Sequence, residues 1–224
     1  MDLMLIILMI ALSIFFMFVS TFLLEKNGIK NIYLIYNVIA FVLSFKILKV
    51  FEINISASIV LSSLFISLTY FVIEKTTPKE YKDIIFETLI INLTVGLMMF
   101  ISSLYVGTIE DNTTIHMNNI FLDNYKILIS YPIVTTITQV LTLLIYNNIK
   151  VDKLSTISRI IITNLNIIMI DSILFFITSY IFKIKFNQII ILIISNYLIK
   201  VLITSLYTPF INYMISKKKV KLWI

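Results

Sequence analysis

The sequence predicts an all-α protein: a polytopic transmembrane bundle of six to seven helices forming one domain over 1–224. Two observations carry this. Hydrophobic residues make up 59% of the 224 and charged residues 13%, with a mean hydropathy of +1.01. A soluble domain carries about 25% charged residues, and half that density leaves too few polar groups to cover a globular surface. Apolar runs also recur along the whole length, each near the ~20 residues that a helix needs to cross the hydrocarbon core.

Taken in order, seven segments qualify: about 3–24, 31–50, 54–73, 84–106, 127–148, 159–182 and 187–215. The first, "MDLMLIILMIALSIFFMFVSTFLL", is read as a retained helix. It has no basic leader or small-residue cleavage site, and its apolar run exceeds the about 7–15 residues of a signal-peptide core. The second ends in "KILKVFE", so Lys46 and Lys49 must snorkel or cap it. The third, "NISASIVLSSLFISLTYFVI", is rich in serine and reads as short, tilted or packed inside.

The connecting segments set the orientation. Twelve basic residues lie in 25–30, 74–83, 149–159 and the tail "SKKKVKLWI", against five in 46–52, 107–126 and 183–185. With seven helices the first set shares one side, which the positive-inside rule makes cytoplasmic; the N-terminus of this cell-membrane protein is then outside and the C-terminus in the cytoplasm. The acidic loop "VGTIEDNTTIHMNN" then falls outside, in agreement. The net charge of +6 therefore reads as topology signal and anionic-lipid contact rather than nucleic-acid binding.

Enzymatic chemistry finds little support. There is no cysteine, and the single histidine, His116, lies in the polar loop. No Ser–His pairing, paired-carboxylate box, metal-ligand cluster or phosphate-cradling glycine loop stands inside the spans. No cofactor and no metal are expected, and ATP hydrolysis by this chain is not.

The informative residues are polar groups inside the spans: Glu87, Asn92, Gln139, Asn164, Asn166, Asp171, Asn196 and Lys200, with Glu74 at a cytoplasmic end. Glu74 and Glu87 can face interfacial water. Asn164 and Asn166 suit helix-packing hydrogen bonds. Asp171, inside "IIMIDSILFFITS", is harder to dismiss, because a carboxylate there costs at least roughly 2.5–3.5 kcal/mol on insertion scales. It precedes the turn near 183–185 by about 13 residues and Lys200 follows it by about 16, so both lie roughly 20–24 Å below that turn. Adjacent antiparallel helices would hold them at similar depth, where an ion pair lowers the cost of each. Such a pair either fixes helix register or lines a polar cavity. Asn196, four residues before Lys200, shares its face.

In the C-terminal third, "MIDSILFFITS" followed by "NYLIKVLITSLYTPF" supplies Asp171, Ser172, Phe175, Tyr197, Lys200, Thr208 and Pro209. This order resembles the queuosine-precursor transporters, a vitamin-uptake transporter family. "FKILKVFEI", "TYFVIEKTTPKEYKDII", "ISSLYVG" and "TQVLTLLIYNNIK" agree more loosely, with Gln139 at a family glutamine. The resemblance runs from about residue 25 onward. The chain departs from the pattern at Tyr70, Thr142 and Tyr207, where acidic residues are expected, at Thr77 for a glycine and at Ile168 for a glutamine.

The resemblance implies uptake of a small planar heterocycle near the membrane midplane, with Asp171, Lys200, Asn196, Gln139 and Glu74 as the substrate-binding set and the lipid bilayer as surroundings. Two alternatives stand beside it: a substrate-capture subunit docked through "SASIVLSS" onto a separate energising module, or a purely structural membrane protein. Homo-oligomerisation stays open, and no nucleic-acid partner is expected.

Overall fold

The structure is a computed structural model that describes residues 2–50, 53–105, 116, 118–150 and 154–216. Helical backbone runs over Asp2–Leu43 (α1), yet the segment is not a rod. The Tyr36 hydroxyl donates to the Ser13 carbonyl at 2.6 Å and the Ser20 hydroxyl to the Gly28 carbonyl at 2.8 Å. In a straight helix those pairs would stand about 34 Å and 12 Å apart. Both pairs centre near residue 24, so α1 folds back there into two antiparallel limbs. Asn27-Gly28 supplies the chain-reversal signal.

The second limb ends at Leu43, short of the helix expected over 31–50. Ile47–Val50 (β1) and Ile53–Ser56 (β2) instead form an antiparallel hairpin, with Ile47 opposite Ser56 and Val50 opposite Ile53. A bond from the Ala57 amide to the Lys46 carbonyl closes its base at 2.8 Å. The β-branched residues at 47, 50, 53 and 55 suit a pleated ribbon, and the ribbon leaves Lys46 and Lys49 exposed.

Among the described residues, five α-helices follow. Ile59–Lys75 (α2) is short, and every residue from Ile59 to Ile73 is buried, so the serine-rich segment is packed inside. Thr77 then caps Pro78–Ser103 (α3) through a reciprocal box with Glu80, with proline in the first turn, where its missing N–H costs nothing. A π-helical turn at Asn118–Leu122 leads into Tyr125–Lys150 (α4), Thr156–Tyr180 (α5) and Phe186–Ser216 (α6). Neighbouring contacts close the ring α1–α2–α6–α5–α4–α3, and α2 also reaches α4 and α5 through the interior.

Among the described residues, five helical stretches are long and apolar enough to cross a membrane. Their outward faces carry bare apolar side chains such as Leu5, Phe15, Phe86, Leu97, Ile191 and Leu202. This is a multi-pass membrane protein. Chain reversal at each connection gives the bundle two ends. One, the hairpin end, holds the start of α1, β1–β2 and the α5–α6 turn. The other, the basic end, holds the α1 bend, the α2–α3 turn and the last residue of α6. Most of the acidic loop, 106–115 and 117, and the tail 217–224 lie outside the described residues; His116 is exposed.

Candidate functional site: an ion pair beside a broken span

Asp171 and Lys200 meet. Lys200 Nζ lies 2.5 Å from Asp171 Oδ2, and Thr138 Oγ1 donates to Oδ1 at 3.3 Å. Asp171 is nine residues, about 14 Å, from the end of α5, and Lys200 is fourteen, about 21 Å, from the start of α6. Both sit well inside the bundle, and both line a cavity of about 30 Å³. That is room for one or two waters.

The rest of the wall is mainly hydroxyl and aromatic, with Ile66, Val134 and Asn196 between. Tyr131, Phe175 and Phe65 line it together with Ser56, Ser58, Ser62 and Thr138. Tyr131 is fixed from behind by stacking on Phe41, with centroids 4.7 Å apart, and edge-on to Phe175 at 6.2 Å. Its hydroxyl donates to the Asn37 carbonyl at 3.2 Å.

At this depth the chain is not helical. β2 brings Ser56 against α6, where its amide donates to Asn196 Oδ1 at 3.1 Å. Asn196 lies about 15 Å along α6 from Phe186. Irregular backbone at such depth is tolerated where it is buried in protein or lines a cavity, and here it does both. α2 therefore starts beside the cavity rather than at the membrane surface.

Of the five residues expected to bind substrate, the fold brings three together: Asp171, Lys200 and Asn196. The Asn196 amide is already engaged, accepting from Ser56 and donating to the Leu192 carbonyl at 2.9 Å, so it pins the hairpin. Gln139 follows Thr138 but faces away from the cavity. Its Nε2 donates to the Tyr33 hydroxyl at 2.7 Å and to Thr88 Oγ1 at 3.2 Å. It belongs to a polar seam between α1, α3 and α4 that includes the Asn37–Asn92 bond at 2.7 Å.

Glu74 lies further toward the basic end. Its Oε1 accepts from the Tyr146 hydroxyl at 2.9 Å and stands 3.5 Å from Arg159 Nη1. Arg159, counted from sequence among the loop charges, is buried in the first turn of α5. Asn164 accepts from the Tyr70 hydroxyl at 2.8 Å, the packing role expected for it. Glu87 pairs with Lys30 at 2.7 Å where both are about 40% exposed (38% and 40%). Exposed Asn166 bonds only back to its own helix at Ile162.

Sequence reasoning missed Arg159, Tyr146, Tyr131 and the hydroxyls at 56 and 58. Arg159 had a signal: it is the one arginine among eighteen basic residues, in a chain that uses lysine everywhere else. Among the described residues, no group of His, Asp or Glu is placed to hold a metal ion. No protein-family model, curated protein or solved structure matches this chain, so the resemblance to queuosine-precursor transporters rests on its sequence motifs alone.

Proposed function

We propose that the protein is a small-molecule uptake transporter of the cell membrane, and that its substrate is a planar, nitrogen-rich heterocycle of the queuosine-precursor type bound at Asp171 and Lys200. One observation carries the reading: a buried ion pair faces a cavity at the depth where the chain gives up helical structure. A pair that only staples two helices has no use for a cavity, a broken span and an aromatic wall beside it.

The chemistry fits such a ligand. Asp171 offers acceptor oxygens to a ring's N–H edge. Lys200 has three N–H donors and gives one to Asp171, which leaves two for a carbonyl. Tyr131 and Phe175 supply faces for the ring. Pockets that hold drug-sized ligands run to about 300 Å³ and more, so the cavity as it stands is closed and binding requires the hairpin or the neighbouring helices to move. Tyr70, Thr142 and Ile168, which replace polar residues of the resembled pattern, favour a ligand less polar than the family's own.

The test is thermal stabilisation of the purified protein by a panel of deazapurines, purines and vitamins, repeated with Asp171→Asn and Lys200→Met. A compound that stabilises the wild type and neither variant supports the assignment. If no compound shifts the wild type while both variants lose intrinsic stability, the pair is a staple and the transporter reading falls. Uptake into proteoliposomes holding this chain alone then separates a self-sufficient transporter from a capture subunit that needs an energising module.

A further inference from the structure

Three helices lead from the cavity to the basic end along matching rows. On α2, Ser62 and Ile66 line the cavity, and Tyr70 and Glu74 continue the row at four-residue steps. On α4, Thr138 is followed by Thr142 and Tyr146, and on α5, Asp171 is followed by Ile167, Thr163 and Arg159. Residues four apart are neighbours on a helix surface, so the three rows bound one route. Tyr70, Thr142 and Ile167 are all buried along it.

The rows end in contact with one another. Glu74 takes the Tyr146 hydroxyl bond and faces Arg159, whose guanidinium lies over the Tyr146 ring at 5.0 Å. Tyr70 packs on Tyr146, with ring centroids 5.3 Å apart, and reaches across to Asn164. The cluster thus bridges α2, α4 and α5 across the whole width of the route.

Two features set this layer apart from a permanent staple. Arg159 Nε is buried and makes no hydrogen bond, Nη1 meets Glu74 only as an ion pair at 3.5 Å without hydrogen-bond geometry, and the hydroxyl of Thr163 one turn away is also without a hydrogen bond. Only Nη2 donates, to Thr156 Oγ1 at 3.3 Å. Buried donors in a settled structure are nearly always used. An arginine that leaves Nε idle and holds its charge partner through Nη1 without hydrogen-bond geometry has not reached its best arrangement, as expected where a second arrangement takes up those donors. The position is also the only arginine in the sequence, and a rigid planar fork over an aromatic ring is what lysine cannot reproduce.

We infer that Glu74, Arg159 and Tyr146 form the gate that closes the central cavity toward the basic end. The inference rests on the transporter reading for its purpose, but its test does not depend on any substrate. Breaking the gate frees Tyr70, Thr142 and Ile167 beneath it to part and so favours opening of the cavity toward the basic end alone, because the hairpin still closes the other side through Ser56 and Asn196.

The chain has no cysteine, so one introduced thiol reports alone. Ser62→Cys places it on the cavity wall, and Lys79→Cys, at an exposed position beside the α2–α3 turn, reports the amount of inserted protein. Membrane vesicles of both orientations are treated with a membrane-impermeant thiol reagent, with and without Glu74→Gln, Arg159→Gln or Tyr146→Phe. The last keeps the ring and removes only the hydroxyl, so it guards against loss of the fold.

Labelling of residue 62 from the basic end is expected to rise by about tenfold in the charge variants, since the rate follows the fraction of molecules open on that side. Tyr146→Phe should give a smaller rise of the same sidedness. Unchanged labelling in all three overturns the gate, and so does an equal rise from both sides, which means a loosened bundle. Either failure leaves the ligand assignment at Asp171 and Lys200 to its own thermal test.

Discussion

Asp171 and Lys200 expose only 15% and 8% of their side chains, so each offsets part of the other's cost of burial. Removing one member of a buried pair costs roughly 3–5 kcal/mol, whereas replacing both by apolar residues is often neutral or better. Lys200→Met alone is therefore expected to lower stability by about that amount, and Asp171→Leu with Lys200→Met to recover most of it, while ligand stabilisation is absent from both. Thermal unfolding in one detergent reads all three proteins, and a double variant as unstable as the single one would mean that the pair is not energetically coupled. The meeting of these residues was legible in the sequence because depth below a shared turn is simple arithmetic on helix rise. Which atoms are already engaged was not. Asn196 has the right spacing beside Lys200, but only tertiary structure shows its amide held by Ser56 and Leu192. Arg159 was hidden by its position, since a basic residue at the edge of a span reads as a loop charge until Glu74 and Tyr146 are found around it.

At the scale of elements, the helices followed from apolar length and the hairpin did not. The run 31–50 is apolar enough to read as one span, and a helix is the default way for backbone in lipid to satisfy its own hydrogen bonds. The ribbon at 47–56 escapes that default by pairing its strands and by docking on α6. Its cues were weak: β-branched residues at 47, 50, 53 and 55, and two lysines that a lipid-facing helix would hold poorly. The reversal inside α1 was legible as two separate spans, because Glu25, Lys26, Asn27 and Gly28 interrupt the apolar run. The docking makes its own prediction. Asn196→Ala leaves the buried Ser56 N–H without its acceptor, a loss of about 1–3 kcal/mol, and should speed amide exchange across 53–56 while α4 and α5 keep their protection. Asn196→Asp, which retains an acceptor, should stay nearer the wild type. Hydrogen exchange read by mass spectrometry decides it, and unchanged exchange in the alanine variant would remove the hairpin's role as the closure on its side.

For the whole molecule, the number of crossings rests on the two shortest α-helical pieces among the described residues. The second limb of α1, Gly28–Leu43, and α2, Ile59–Lys75, have 16 and 17 residues, about 24–26 Å of helix against a hydrocarbon core of about 30 Å. Alone, neither is long enough to span. α2 needs no lipid match, because its apolar side chains are buried among its neighbours and the hairpin completes its path to the far side. The second limb is held to the first by Tyr36 and Ser13, and to α2 by the Tyr33–Phe65 stack at 4.4 Å. If both cross, the bundle makes seven passes and its two ends emerge on opposite sides. The sequence has twelve basic residues in 25–30, 74–83, 149–159 and the tail against five in the other connections, and from the positive-inside rule we propose that the basic end faces the cytoplasm. A protease-cleavable tag ahead of Asp2 should then be cut only from outside, and one placed after Ile224 only from within. Tags cut from the same side would mean that one short piece turns back without crossing. Tyr70 and Glu74 would then no longer lie along a route between the cavity and the far side, so the topology is the premise on which the gate stands.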